Sequence, residues 1–211
     1  MEKKPETQVK IKICGLRTPA DVAAVNAALP EYAGFIFVPM RRRYVAPAQA
    51  AILCQQLDPR IRPVGVFVDA RVEEILEALE HCPLDTVQLH GSEDNDYIAM
   101  LRAAYRSRNL CIVKAFRVEG ADDIRRAEAS AADEILLDHG AGGTGERFDW
   151  TLLQHCRRRF FLAGGLTPDN VEDAIRVAQP YAVDVSSSLE TDGRKDPEKI
   201  RRFVAAVRRS L

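Results

Sequence analysis

The 211-residue chain has no stretch of about 18 uninterrupted apolar residues, so no segment is expected to cross a membrane as a helix. Met1–Thr7 is charged and lacks the apolar run of a secretory signal; the expected compartment is the cytosol. Neither sign of charge is in excess. Thirty Lys and Arg against 31 Asp and Glu leave a formal net charge of -1, which provides no global field to draw the protein to nucleic acid or an anionic membrane. Cysteine is sparse and odd in number: Cys14, Cys54, Cys82, Cys111 and Cys156 form no C-x-x-C pair, which argues against a disulfide framework or a structural zinc site. Reduced thiols are the expectation. A hydrophobic content of 46% is that of a folded chain with one sizeable core.

What is present is an alternation. Short runs rich in Val, Ile and Phe alternate with longer stretches of helical period, the pattern of successive βα units around a parallel sheet. The predicted strands are Val9–Cys14, Ala33–Val38, Pro63–Val68, Thr86–Leu89, Cys111–Phe116, Glu134–Asp138, Phe160–Ala163 and Tyr181–Ser186. The predicted helices are Pro19–Leu29, Ala48–Leu57, Val72–Cys82, Asn95–Arg106, Ala121–Ser130, Thr151–Arg157, Pro168–Val177 and Pro197–Arg209. Thr18-Pro19, Thr167-Pro168 and Asp196-Pro197 each set a capping residue before a proline, whose missing N–H costs nothing at the first helical position. Eight units of roughly 26 residues fit an α/β, single-domain (β/α)₈ TIM barrel over residues 9–211, after an N-terminal extension of residues 1–8.

An open doubly wound sheet could use the same units. The strand ends favour closure: Cys14-Gly15, Arg41-Arg42-Arg43, Asp69, His90-Gly91, Arg117, Asp138, Gly164-Gly165 and Ser186-Ser187-Ser188 are suited to chemistry or tight turns, and a barrel brings all of them to one mouth. After strand seven, Gly164 and Gly165 offer backbone N–H groups unobstructed by side chains; after strand eight, Ser186, Ser187 and Ser188 offer hydroxyls and further N–H groups. Adjacent loops at those positions predict a phosphate site. Gly142-Gly143-Thr144-Gly145 lacks the Lys and Ser/Thr of a P-loop and reads as a lid over the mouth, or as a plain linker.

Cys14 at the mouth has three possible roles, nucleophile, metal ligand or general base, and no Cys/His cluster supports the metal. Asp138 emerges from the apolar Ile135-Leu136-Leu137 run, which suits a carboxyl that retains its proton. Asp69 reads equally as a site residue or a cap. Among Arg41-Arg42-Arg43, one guanidinium facing inward could bind a carboxylate in bidentate fashion; without a stacking platform nearby, nucleic-acid contact is disfavoured. Gln88 and His90 alternate across Leu89 and can both face the interior. Lys12 shares a face with Cys14, and Asp184 shares one with Ser186. Closure would make their strands neighbours, predicting a buried Lys12–Asp184 pair whose cation assists the thiol.

Taken together and in order, Lys12-Ile13-Cys14-Gly15-Leu16, Gly34-Phe35-Ile36-Phe37 leading to Arg43-Tyr44, Val87-Gln88-Leu89-His90-Gly91, Leu137-Asp138 with Gly142–Gly145 and Phe148-Asp149-Trp150, Leu162-Ala163-Gly164-Gly165-Leu166 and Asp184-Val185-Ser186-Ser187 closely resemble the phosphoribosylanthranilate isomerases, from about Val9 to Arg209. The resemblance implies a cofactor-free Amadori rearrangement of a phosphorylated aminoaldose in tryptophan biosynthesis. By it Cys14 is the general base, Asp138 the general acid and Arg43 the carboxylate ligand, in a monomer or homodimer that takes neither nucleic acid nor membrane as partner. Arg41 and Ser188 depart from the family's usual Ser and Gly, which bears on affinity before activity. The rivals are another phosphosugar isomerase or epimerase, and a non-catalytic phosphosugar-binding module, which would not need both Cys14 and Asp138.

Overall fold

A computed structural model of the chain describes residues 8–105, 110–139 and 149–210. The glycine-rich segment Gly142–Gly145 and nearly all of the N-terminal extension lie outside the described residues. Eight parallel strands close into a barrel: β1 (Lys10–Cys14), β2 (Tyr32–Ile36), β3 (Arg62–Phe67), β4 (Thr86–Leu89), β5 (Cys111–Arg117), β6 (Glu134–Asp138), β7 (Phe160–Ala163) and β8 (Ala182–Val185). Pairing of β8 with β1 shuts the ring and sets Lys12 opposite Asp184. The fold is thus the predicted TIM barrel.

Strand alternation divides the buried residues into two sets. Ile11, Ile13, Val87, Leu89, Ile135, Leu137, Val183 and Val185 face the helices, in the larger core cluster. Val64, Val113, Ala115, Leu136, Phe161, Ala163 and Ala182, with Tyr32, form a separate cluster inside the ring. Full burial of a Leu, Ile or Val side chain contributes roughly 1.5–3 kcal/mol, so a one-residue slip of any strand would forfeit several such terms at once.

The outer ring follows the predicted signals with corrections. In α1 (Pro19–Ala28), Thr18 accepts a hydrogen bond from the Asp21 N–H and Asp21 reaches back to the Thr18 N–H, with Pro19 in the first turn. In α7 (Pro197–Arg209), Asp196 accepts from the N–H groups of Glu198 and Lys199, and the helix packs against α1. The helices α2 (Pro47–Gln55), α3 (Val72–His81), α4 (Asn95–Ala104) and α5 (Ala121–Glu128) fall where expected. Helix α6 is Val171–Ala178, starting later than Pro168, because Asn170 Oδ1 accepts from the Thr167 N–H and holds the intervening residues in a turn. Between β6 and β7 the helix is a short 3-10 segment, Trp150–His155, rather than α. An unpredicted hairpin, β9 (Glu190–Thr191) and β10 (Arg194–Lys195), follows β8.

Candidate active site

Cys14 occupies the last position of β1 and is buried at the mouth. Its room comes from Gly34, opposite it on β2: a Cβ there would stand 2.7 Å from the Cys14 Sγ. Gly15, with φ of +86°, turns the chain away, and a side chain there would strike Arg43. Two residues deeper on the same face, Lys12 Nζ donates to Asp184 Oδ1 at 2.8 Å; the lysine is 1% and the aspartate 9% exposed, so the predicted pair is desolvated. Burial disfavours the Lys12 ammonium, but Asp184 and the Cys14 sulfur outweigh it and raise its pKa. For Cys14 the balance differs from expectation. Burial and Asp184 push its thiol above the ordinary 9.0, and Lys12 and Lys195, which pull it down, do not fully offset them.

Asp138 ends β6, with its Oδ2 3.7 Å from His90 Nε2. His90 is itself held: Nδ1 lies 2.8 Å from the Gln88 amide nitrogen, and its backbone N–H donates to the Phe67 carbonyl. Beneath it the buried Lys114–Glu93 pair ties down Gly91 through both backbone groups. Asp69 accepts from the Ser92 N–H and hydroxyl, which lowers its pKa; it caps this loop rather than lining the mouth.

Gly164 and Gly165, both with positive φ, follow β7, and Ser187 opens a 3-10 turn after β8 (Ser187–Leu189). The first turn of such a helix leaves N–H groups without intrahelical acceptors. The hydroxyls of Ser186 and Ser188 donate to the carbonyls of Cys14 and Leu166, so they brace the two loops instead of adding the free donors expected of them.

Arg43 faces the mouth with its Nε on Glu190 Oε1 at 2.6 Å and a terminal nitrogen on Oε2 at 3.1 Å. Arg42 and Lys195 also reach Glu190, at 2.6 and 3.1 Å, and together the three cations hold that carboxyl at about 2 despite its burial. Glu190 and Lys195 escaped the sequence reading. The available signal was Asp192-Gly193, both in the left-handed region (φ of 50° and 74°), the pair that a tight hairpin turn prefers.

One cavity of about 610 Å³ joins these parts: Cys14, Asp138, Arg43 and both the glycine and the serine loops line it. The model of the N-(5'-phosphoribosyl)anthranilate (PRA) isomerase family matches residues 11–206. An N-(5'-phosphoribosyl)anthranilate isomerase from Lactiplantibacillus plantarum is 45% identical over 197 residues, covering 92% of this chain and 90% of that one. The crystal structure of phosphoribosyl anthranilate isomerase from Thermotoga maritima superposes with a TM-score of 0.86 at 34% identity, covering 95% of this chain and 99% of that chain. A structure of the same enzyme type in complex with reduced 1-(o-carboxyphenylamino)-1-deoxyribulose 5-phosphate gives 0.84, at the same identity and coverage. The chain belongs to the N-(5'-phosphoribosyl)anthranilate isomerase family.

Proposed function

We propose that the protein converts N-(5-phosphoribosyl)anthranilate to 1-(2-carboxyphenylamino)-1-deoxyribulose 5-phosphate in tryptophan biosynthesis, with Asp138 as general acid and Cys14 as general base. The observation that carries this reading is one cavity in which a carboxyl group and a thiol, on strands three places apart in the ring, face Arg43 and the glycine and serine loops that follow β7 and β8. Protonation of the ribose ring oxygen by Asp138 opens the ring to a Schiff base. Removal of the C2 proton by Cys14 gives an enolamine, and tautomerisation yields the ketose, so one acid and one base suffice.

Binding roles follow the same wall. The phosphate sits against Gly164, Gly165, Ser186, Ser187 and Ser188, and the anthranilate carboxylate lies beside Arg43. Although Arg43 is paired with Glu190, three cations surround that one carboxylate, so the wall keeps an excess of positive charge for a second. Burial works against the thiolate that acts as the base, and Lys12 and Lys195 are the charges that favour it. The test is turnover of enzymatically generated substrate, followed by loss of anthranilate-type fluorescence. Saturable turnover is expected; its absence in folded protein overturns the reading.

A further inference from the structure

Glu190 does not line the cavity, yet it is the hub of a polar chain that reaches three parts of it. Its side chain is 6% exposed and accepts from Arg43, Arg42 and Lys195. Lys195, with a side chain 1% exposed, also donates to the Ser186 carbonyl at 2.9 Å, and the Ser186 hydroxyl donates to the Cys14 carbonyl at 2.9 Å. The hairpin that carries both is anchored: Lys199 Nζ donates to the Glu190 carbonyl at 2.7 Å and Arg17 to the Gly193 carbonyl at 2.7 Å.

A purely structural rivet would not need this chemistry. Burying an ion pair carries a desolvation cost that well-packed apolar side chains avoid, so fastening a hairpin is better done without charge. What an apolar rivet cannot do is fix the direction of a guanidinium or keep a buried ammonium charged. Glu190 grips Arg43 by two nitrogens, which sets the plane of the fork and leaves the rest of it toward the mouth. Burial pulls the pKa of Lys195 down and Glu190 holds it up, while the charge on Lys195 favours the Cys14 thiolate. The other charges that act on that thiol are Lys12, in favour, and Asp184, against.

We propose that Glu190 is a positioning residue that serves both ends of the reaction: it fixes Arg43 at the mouth for the substrate carboxylate and holds Lys195 behind the β8 loop in support of Cys14. The first half rests on the function proposed above; the second does not.

The test compares Glu190→Gln, which keeps the shape and removes the charge, with Glu190→Asp, which keeps the charge and withdraws it by one methylene. For each, KM and kcat are measured across pH, iodoacetamide alkylation of the Cys14 peptide is followed by mass spectrometry across pH, and the melting temperature reports folding. Glu190→Gln should raise KM about tenfold or more, slow Cys14 alkylation severalfold at pH 8, and move its profile to higher pH as Lys195 loses its charge. Glu190→Asp should raise KM and leave the alkylation profile in place. Wild-type KM and alkylation in folded Glu190→Gln would overturn the proposal, as would losses in both variants that merely track the melting temperature. If Glu190→Gln does not fold, an unchanged KM in Glu190→Asp overturns it. If the wild type turns over no substrate, the function assigned above fails, and the alkylation profiles still decide the link to Cys14.

Discussion

Gly34 offers a direct way to move the thiol without touching it. An alanine Cβ at that position would meet the Cys14 Sγ at 2.7 Å, its Cα at 3.1 Å and its Cβ at 3.2 Å, where ordinary contact begins at 3.4 Å. Rotating the side chain relieves the first clash only. The other two require strands β1 and β2 to part locally by a few tenths of an ångström, at the register point Cys14↔Gly34. Overpacking of this kind costs about 1–3 kcal/mol. Misplacing a reacting group by around 1 Å can cost 10²-fold in rate, so Gly34→Ala should lower kcat by about a hundredfold while melting only several degrees earlier. Fluorescence turnover gives kcat and thermal unfolding gives the stability. Gly120→Ala is the control for turnover, because a Cβ there meets nothing within 4 Å: as the N-cap of α5 it should cost some stability and leave kcat unchanged. Wild-type kcat in Gly34→Ala would refute the placement of the reacting base at Cys14.

Cys14→Ser and Asp138→Asn should each lower kcat at least about a hundredfold with substrate binding largely kept, since general acid and base effects are each typically ~10²–10⁴-fold; near-normal turnover in either removes that residue from the proton transfers. Arg43→Ala should raise KM more than it lowers kcat, because a carboxylate is bound alike in ground and transition states, whereas a neutral Arg43→Ala beside a damaging Arg41→Ala would move the carboxylate site. Stability should fall at alkaline pH. Burial raises the thiols of Cys54 and Cys82 from 9.0 to about 12 and about 11, so the folded chain keeps protons that the unfolded chain releases, and their contribution is whole below pH 9 and lost as pH rises through those values. The urea midpoint should therefore drop between pH 8 and pH 11, and less steeply in Cys54→Ala; a flat or rising midpoint contradicts the assignment.

The legible parts of the molecule were those written in local pattern. Alternating apolar runs and capping residues followed by proline located all eight strands and most helices, and residues at strand ends pointed to the mouth. Lys12–Asp184 was legible because closure of a ring makes first and last strands neighbours. What escaped depends on contacts between segments distant in sequence. Glu190 acquires its meaning only when Arg43, from the loop after β2, is seen lying across the chain that follows β8, and strands of two residues leave no periodicity to read. The start of α6 was misplaced because Thr167-Pro168 has the form of a cap, while the Asn170 side chain takes the Thr167 N–H and defers the helix. The serine hydroxyls look like donors in sequence, yet carbonyls from β1 and the β7 loop claim them.

Depth in the barrel, more than identity along the chain, decides what each inward residue does. Successive inward positions lie about 6–7 Å apart along a strand, since every second residue faces the interior. On β8 they run Ala182, Asp184 and then Ser186; on β1, Lys12 and then Cys14; on β6, Leu136 and then Asp138. The deepest layer is apolar, with Leu136, Phe161 and Ala182 in the inner cluster. The next layer on β1 and β8 holds the Lys12–Asp184 pair: Asp184 reaches the floor of the cavity, Lys12 is sealed behind it, and both act on the layer above. Cys14 and Ser186, one layer higher, stand in the wall of the cavity. A charge placed one layer too high would be screened by water, and one too low would have no group to act upon. Lys195 comes from outside the ring, through the hairpin, and meets the Ser186 carbonyl at 2.9 Å, which adds a second cation to the one that Lys12 places on β1 in favour of the thiolate.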